Sequence, residues 1–161
     1  MSDVESKGKV RVRKATEKDL DMIYRMGYDT WGNRESWRSY LCQCRKSSKY
    51  QSGCWYVLVV EDRLVASLLV HADHFGLEMN CRGIGSVATF PEERGQGFAS
   101  LLVDKVVRML LMKEHIDTVL LHCDIDFRFY ENLGFHRLLQ SHCMYRTKLS
   151  KQYAGPIPDY F

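Results

Sequence analysis

A glycine-rich turn carries the clearest chemical signal in the sequence. Gly95 and Gly97 join a β-rich segment to a long apolar helical pattern, and Arg94 directly precedes them. The first turn of a helix leaves backbone N–H groups unpaired and carries the positive end of the helix dipole. Glycines let that backbone approach an anion without an intervening Cβ. We therefore predict a phosphate-binding loop at the start of this helix.

Two other phosphate-binding motifs fail on the same residues. The dinucleotide fingerprint needs a third glycine or alanine where this chain has Ser100, and an acidic residue at the end of a second strand about twenty residues later. That later region, residues 118–121, holds Thr-Val-Leu-Leu. A P-loop needs Gly-Lys followed by Ser or Thr, and the chain contains no such triplet. Neither a dinucleotide site nor a nucleotide triphosphate site is predicted.

A second element follows some thirty residues after the loop. Phe129 to Phe135 reads as a short helix closed by Gly134 and followed by a strand. In pattern, order and spacing, this element and the loop resemble the GNAT superfamily of acyl-CoA-dependent N-acyltransferases. That family's loop is Gln/Arg-x-x-Gly-x-Gly/Ala, which residues 94–99 fit, and Val87-x-Thr89-x-Pro91 resembles the family's fourth strand. The resemblance is firm from about residue 83 to residue 135.

The resemblance implies a GNAT fold of the α/β (α+β) class. Such a fold has a mixed central sheet of six to seven strands flanked by about four helices, in the order β-α-α-β-β-β-α-β-α-β. The hydrophobic periodicity of this chain gives the same order. The predicted strands lie at about 10–15, 55–60, 64–70, 81–89 and 118–123, with one or two more within 136–148. The predicted helices lie at about 16–31, 34–46, 98–113 and 127–133, with a polar loop at 47–53.

The chain divides into three predicted parts. Residues 1–9 form a polar leader, 10–150 a single domain, and 151–161 a C-terminal tail that is broken by prolines yet aromatic enough to pack on the domain. The resemblance implies acetyl-CoA as cosubstrate and no metal. The residues that would contact coenzyme A are Val87, Thr89, Arg94, Gly95, Gln96, Gly97, Ala99 and Ser100.

Tyr130 and Asp124 are the predicted catalytic residues. Tyr130 matches the family tyrosine that donates a proton to the departing thiolate, and a tyrosine keeps its proton at neutral pH. Asp124 follows an apolar strand at the point where donor and acceptor meet in this fold, and could accept the proton of the amine. The usual asparagine of this region is absent, and Gly83-Ile84-Gly85 stands where some members carry a glutamate base.

The sequence leaves the roles of other residues near the predicted site undecided. The alternatives for the base are Glu78, His71, His74 and His122, and Asp126 could serve only as a helix N-cap. Trp31, Trp37 and Tyr40 could wall the acceptor pocket or belong to the core.

The composition of the chain limits the partners and the cellular compartment that we expect. A net charge of +3 on 161 residues, with the basic side chains dispersed, argues against nucleic-acid binding. The six cysteines show no C-x-x-C pair, so we expect free thiols in a reducing compartment, namely the cytoplasm. No apolar run approaches eighteen residues, and no membrane partner is predicted. We expect a monomer or a homodimer.

The sequence therefore favours an N-acetyltransferase. It would move an acetyl group from acetyl-CoA to a primary amine by direct attack in a ternary complex, with a small-molecule acceptor favoured over a peptide or protein lysine. The alternative is a non-catalytic module that binds coenzyme A as a sensor or partner-docking protein.

Overall fold

One seven-stranded mixed sheet forms the centre of the molecule. The computed structural model describes residues 9–161, so of the predicted leader it describes only Lys9. The strands are β1 (Val10–Lys14), β2 (Cys54–Val60), β3 (Arg63–His71), β4 (Cys81–Thr89), β5 (Thr118–His122), β6 (His136–Arg137) and β7 (Cys143–Thr147). Their order in the sheet is β1-β2-β3-β4-β5-β7-β6, and only β4 and β5 run parallel.

Four helical segments flank the sheet, as predicted. The helices are α1 (Leu20–Met26), α2 (Tyr28–Trp31), α3 (Trp37–Lys46), α4 (Ser48–Ser52), α5 (Phe98–Leu111) and α6 (Phe127–Glu131). Gly27 separates α1 from α2, and Ser47 separates α3 from α4, so each pair forms one broken segment. None of the helices between residues 9 and 161 is long and apolar enough to cross a membrane.

Helix α4 replaces the loop predicted at residues 47–53. The Ser47 hydroxyl accepts a hydrogen bond from the N–H of Tyr50 at 3.2 Å, which caps the helix. Tyr50 then stacks on Tyr24 at a centroid distance of 5.8 Å and meets Trp55 edge-on at 5.2 Å. The loop prediction was wrong because aromatic packing onto the sheet stabilises a segment of mostly polar residues.

Both faces of the sheet are covered by apolar packing. On one face, α5 buries Leu102, Val103, Val106, Val107 and Leu110. On the other face, α1 and α3 pack over β2 through a second cluster that includes Tyr24 and Tyr40. The sheet and the site are therefore built on a core packed from both sides.

The parallel strands β4 and β5 pair only over part of their length. Their register runs from Cys81 opposite Thr118 to Ile84 opposite Leu121 and then stops. Strand β4 continues to Thr89, paired with β3 alone, and the β3–β4 register shifts where Ser86 adopts a positive φ of 51°. A bulge of this kind bends a strand away from its neighbour. The parted ends of β4 and β5 leave an opening in the sheet.

The tail packs back over this part of the sheet. The N–H of Asp159 donates to the carbonyl of Phe75 at 2.7 Å, and Phe161 is 5 % exposed. Phe161 lies against His71 and His122, with ring centroids 5.2 and 4.8 Å away. The tail is thus an ordered part of the packed structure.

Candidate active site

A cleft of about 690 Å³ opens where β4 and β5 part. Its walls come from β4, the end of β5, α6, α2, α4 and the tail. The residues that line it are Thr30, Trp31, Lys49, Tyr50, Ile84, Gly85, Ser86, Val87, Ala88, Thr89, Arg94, Ala99, His122, Asp124, Ile125, Phe129, Tyr130, Tyr160 and Phe161. Of the residues predicted to bind the cofactor, Val87, Thr89, Arg94 and Ala99 face this cleft directly, while Ser100 faces a neighbouring hollow.

The glycine loop has the geometry of an anion cradle. Gly95 and Gly97 have φ values of +79° and +81°, and a Cβ on either glycine would meet no atom within 4 Å. The first helical bond of α5 runs from the N–H of Leu101 to the carbonyl of Gly97. Within the described chain, the N–H groups of residues 95–100 accordingly have no backbone acceptor. Unpaired N–H groups at a helix start, beside open space, fit the pyrophosphate of a coenzyme A thioester.

Arg94 is committed to a structural contact. Its guanidinium binds both carboxylate oxygens of Asp29 at 2.7 and 2.9 Å, and its Nε donates to the carbonyl of Thr89 at 3.1 Å. The Arg94 hydrogen bond holds the pKa of Asp29 below its ordinary value. Much of the positive charge of Arg94 is therefore balanced by Asp29, and the cradle relies on backbone N–H groups and the helix dipole.

The edge of β4 that faces the cleft has no partner strand beyond Ile84 among the described residues. Main-chain groups near Val87 and Thr89 lie on this stretch, next to the cradle. A ligand that carries amide groups could pair with such an edge as an added strand does. The pantetheine arm of coenzyme A has two amides and fits that requirement.

Tyr130 lines the same cleft from α6. Its ring lies between Phe129 and Phe135, 4.9 and 5.8 Å away in edge-to-face contacts, and only 7 % of the residue is exposed. Burial raises the pKa of Tyr130, with a smaller contribution from nearby Cys123 and Asp124. The hydroxyl therefore keeps its proton throughout the neutral range and can donate it.

Asp124 faces the cleft just after β5. Its Oδ2 accepts a hydrogen bond from the Tyr160 hydroxyl at 2.6 Å, which raises the pKa of Tyr160 to about 12. The ion pairs between described residues do not include Asp124. Asp124 thus keeps its second carboxyl oxygen, Oδ1, available to a ligand.

The structure separates the alternative bases. His122 lines the cleft, but its Nε2 donates to the carbonyl of Asp159 at 2.9 Å. His71 is fully buried behind Phe161, while Glu78 and His74 lie outside the cleft lining. Asp124 and His122 are therefore the candidates with access to a ligand.

Asp126 has a structural position outside the cleft. Its side chain caps α6 by accepting from the N–H of Arg128 at 3.0 Å, as the sequence suggested.

The tail fills the space beside Gly83 and Gly85. A Cβ on Gly83 would lie 2.5 Å from the Phe161 ring, and one on Gly85 would lie 3.2 Å from the Phe161 main-chain oxygen. A glutamate in this part of β4 would therefore clash with the tail. The two glycines let the aromatic side chain of Phe161 occupy the region of β4 in which some GNAT members carry a glutamate base.

Several residues were not predicted from the sequence on the acceptor side of the cleft, meaning the part formed by α2, α4, the end of β5 and the tail. Trp31 lines the cleft as one of the predicted walls, whereas Trp37 and Tyr40 belong to the core around Tyr28. The residues that sequence reasoning did not name there are Lys49, Tyr50, Tyr160 and Phe161. The N-cap serine before α4 and the aromatic tail were the available signals.

The fold and the site define an acyltransferase architecture, with an anion cradle beside two parted parallel strands. The model of the family "Acetyltransferase (GNAT) domain" matches residues 11–138. The chain belongs to this GNAT family. No curated protein matches the sequence significantly.

Solved structures show the same fold. A GNAT family acetyltransferase from Brucella melitensis, in complex with acetyl-CoA, matches with a TM-score of 0.66 at 13% identity, over 95% of this chain and 97% of that one. The aminoglycoside acetyltransferase AAC(6')-Ib, in complex with coenzyme A, matches with a TM-score of 0.68 at 19% identity, over 88% and 96%. The same enzyme with coenzyme A and kanamycin gives 0.67 at 18% identity, over 88% and 96%. The mixed sheet and its flanking helices are those of the GNAT fold.

Proposed function

We propose that the protein is an N-acetyltransferase that moves an acetyl group from acetyl-CoA to a primary amine by direct attack in a ternary complex. The observation that carries the proposal is that the cleft lined by Tyr130 and Asp124 is also lined by Arg94 and Ala99, which flank the cradle at Gly95 and Gly97. Binding both substrates in one cleft converts the transfer into a reaction between oriented neighbours.

Each group in the cleft has a role in this reaction. The cradle binds the pyrophosphate, and the free edge of β4 binds the pantetheine arm. Asp124 holds the ammonium form of the acceptor and takes a proton from it, directly or through water. The neutral amine nitrogen then bonds to the thioester carbonyl carbon as the carbon–sulfur bond breaks, and the nitrogen loses its second proton to water, from which Tyr130 is reprotonated after the transfer. Tyr130 donates its proton to the departing sulfur.

We favour a small-molecule acceptor. The tail lines one side of the cleft with Tyr160 and Phe161, and the volume of about 690 Å³ lies in the range of small-molecule sites. AAC(6')-Ib has been solved with kanamycin, a small amine. The six cysteines of this chain are all free thiols, which suits a reducing compartment, and we place the reaction in the cytoplasm.

One observation favours the second candidate, a coenzyme A-binding module without turnover. Tyr160 occupies one oxygen of Asp124, the residue proposed to bind the amine. The two functions share the cradle and differ in what happens at Asp124. Release of free thiol from acetyl-CoA in the presence of a panel of primary amines separates them. Thiol release that depends on an amine supports the transferase, whereas coenzyme A binding without turnover of any amine supports the module.

The cradle itself is tested by Gly97→Asp. Coenzyme A at a hundredfold excess over its Kd should stabilise the native chain by about 2.7 kcal/mol, measured as a rise in Tm. In Gly97→Asp a carboxylate would enter the pyrophosphate site, so the rise should disappear.

The matched control is Gly76→Asp. Gly76 also has a positive φ, of +75°, but lies near Pro158 and away from the cradle. This control should lose similar backbone stability and keep the ligand-dependent rise. An undiminished rise in Gly97→Asp would rule out the loop assignment.

A further inference from the structure

Two side chains of opposite charge line the acceptor side of the cleft without an ionic partner. Asp124 lies at the end of β5 and Lys49 lies on α4, in the wall formed with Tyr50. The ion pairs among residues 9–161 include neither of them. The other cation of the cleft, Arg94, is already bound by Asp29. The cleft therefore presents one available negative group and one available positive group.

Lys49 is held in an unfavourable environment. The residue is only partly exposed, and although its Nζ makes a favourable cation–π contact 5.6 Å from the centre of the Tyr50 ring, that contact does not supply a counter-ion. Burial lowers the pKa of Lys49, and the charge of Asp124 opposes that effect only in part. A buried charge is destabilising unless a counter-ion or hydrogen-bond acceptor compensates it. Filling the cleft with substrates removes more water from Lys49 and increases that penalty.

The charges must also balance once the acceptor is bound. Tyr160 fixes Asp124 through Oδ2, so Oδ1 can receive the ammonium group of the acceptor. When that ammonium neutralises Asp124, the favourable influence of Asp124 on Lys49 is offset. Lys49 then needs an anion, and the acceptor is the group that enters this part of the cleft.

The walls and charges of the cleft limit the kind of acceptor that it can bind. Trp31, Tyr50 and Tyr160 supply aromatic walls, and Phe161 closes the floor over Gly83 and Gly85. A polycation such as an aminoglycoside would bring several positive charges next to Lys49 and find only one carboxylate. A short molecule with one amine and one anionic group matches both charges.

We propose that the acceptor is a small amine that also carries an anionic group, with Asp124 binding the ammonium and Lys49 binding the anion. The inference rests on the proposed function, because it assigns the substrate class of the same cleft. Lys49 is thereby a specificity-determining residue whose role is electrostatic.

Matched pairs of acceptors test the proposal. In each pair, the anionic member is an ω-amino acid, such as β-alanine or γ-aminobutyrate, and the neutral member is the amino alcohol of the same length. Taurine paired with ethanolamine extends the test to a sulfonate. The full chain with acetyl-CoA should show kcat/KM at least about tenfold higher for the anionic member of one pair, since a charge-assisted contact is worth a factor of this size or more.

Variants at Lys49 test whether this residue distinguishes the anionic acceptor from the neutral one. Lys49→Met keeps the apolar stem and should remove the preference, through a higher KM for the anionic member and an unchanged KM for acetyl-CoA. Lys49→Arg keeps the charge and should retain most of the preference. Lys46→Met, an exposed lysine at the end of α3 that does not line the cleft, is the control and should behave as the native chain.

Four other results would overturn the inference. Equal kcat/KM for both members of every pair would contradict recognition of an anion by Lys49 while leaving the proposed amine transfer intact. The same conclusion would follow if Lys49→Met lowered kcat/KM equally for both members. A Lys49→Met effect on the KM for acetyl-CoA alone would assign the lysine to the cosubstrate. Turnover of no amine at all would overturn the proposed function and this inference with it.

Discussion

The buried imidazole of His71 should make the fold lose stability as the pH falls from about 7 to about 4. The residue is fully buried on β3, and both ring nitrogens lack a hydrogen-bond partner among the described residues. Burial, with smaller contributions from the positive charges of Lys49 and His74, lowers the pKa of His71 from 6.5 to about 4. Between about pH 4 and pH 6.5, the folded protein therefore keeps His71 neutral, whereas the unfolded chain protonates it.

The sign and size of the effect follow from that difference. Because the unfolded chain binds the proton first, the contribution of His71 is complete above about pH 7 and is lost as the pH falls from 6.5 towards 4. Each pH unit in that interval is worth up to about 1.4 kcal/mol. Between about pH 7.5 and pH 4.5 the free energy of unfolding should fall by about 2 to 3 kcal/mol from this residue alone.

Urea unfolding at a series of pH values measures this slope in the native chain and in His71→Leu. The variant should lose most of the decrease between pH 6.5 and 4.5. The Arg13–Asp19 ion pair titrates lower, because the Arg13 hydrogen bond lowers the pKa of Asp19 to about 2. The exposed His136, changed to Gln, is the control and should keep the native slope. If His71→Leu keeps the native slope too, the buried imidazole is not its source.

The remaining predictions concern catalysis. Tyr130→Phe should lower kcat by about 10²–10⁴-fold with little change in the KM for acetyl-CoA. Steady-state kinetics measure this when the chemical step is rate-limiting. An unchanged kcat would mean that Tyr130 serves only in packing. Asp124→Asn should reduce kcat/KM for the amine strongly, leave coenzyme A binding within a few-fold, and recover partly at high pH; lost cofactor binding with retained amine turnover would assign Asp124 to the cofactor. Tyr160→Phe should lower kcat/KM for the amine by about tenfold, because a hydrogen bond to a charged group positions Asp124. That loss should vanish in the Asp124→Asn background, and a loss that persists there would contradict the positioning role.

The elements around the cofactor loop were predictable because their signals are local. Strand β4 was predicted at about 81–89 and runs from Cys81 to Thr89, while α5 was predicted from 98 and begins at Phe98. A strand, a glycine turn and an apolar helix each leave a mark within a few residues of the chain. The Asp104–Arg108 ion pair, at 3.0 Å, follows from the same helical spacing.

The acceptor side could not be predicted because its contacts join distant parts of the chain. Nothing near Arg94 indicates that Asp29 will bind it, and nothing near Gly83 indicates that Phe161 will fill the space above it. The alternation of apolar residues says which side chains are buried but not which remote segment covers them. For the same reason the sequence identified Asp124 by position and could not reveal its partner, Tyr160.

The docking of the tail has a consequence for the order in which the protein assembles. Phe161 touches His71 of β3, Gly83 of β4 and His122 of β5, so its binding place exists only after these three strands have paired. Contacts between segments so far apart in the chain form late in folding, and a terminal segment can open without unfolding the sheet. The sheet and the cofactor cradle can therefore form first, and the acceptor side is completed last. A protease acting on the native protein should find the tail cleavable before the sheet, and cleavage there should remove acceptor recognition while coenzyme A binding survives.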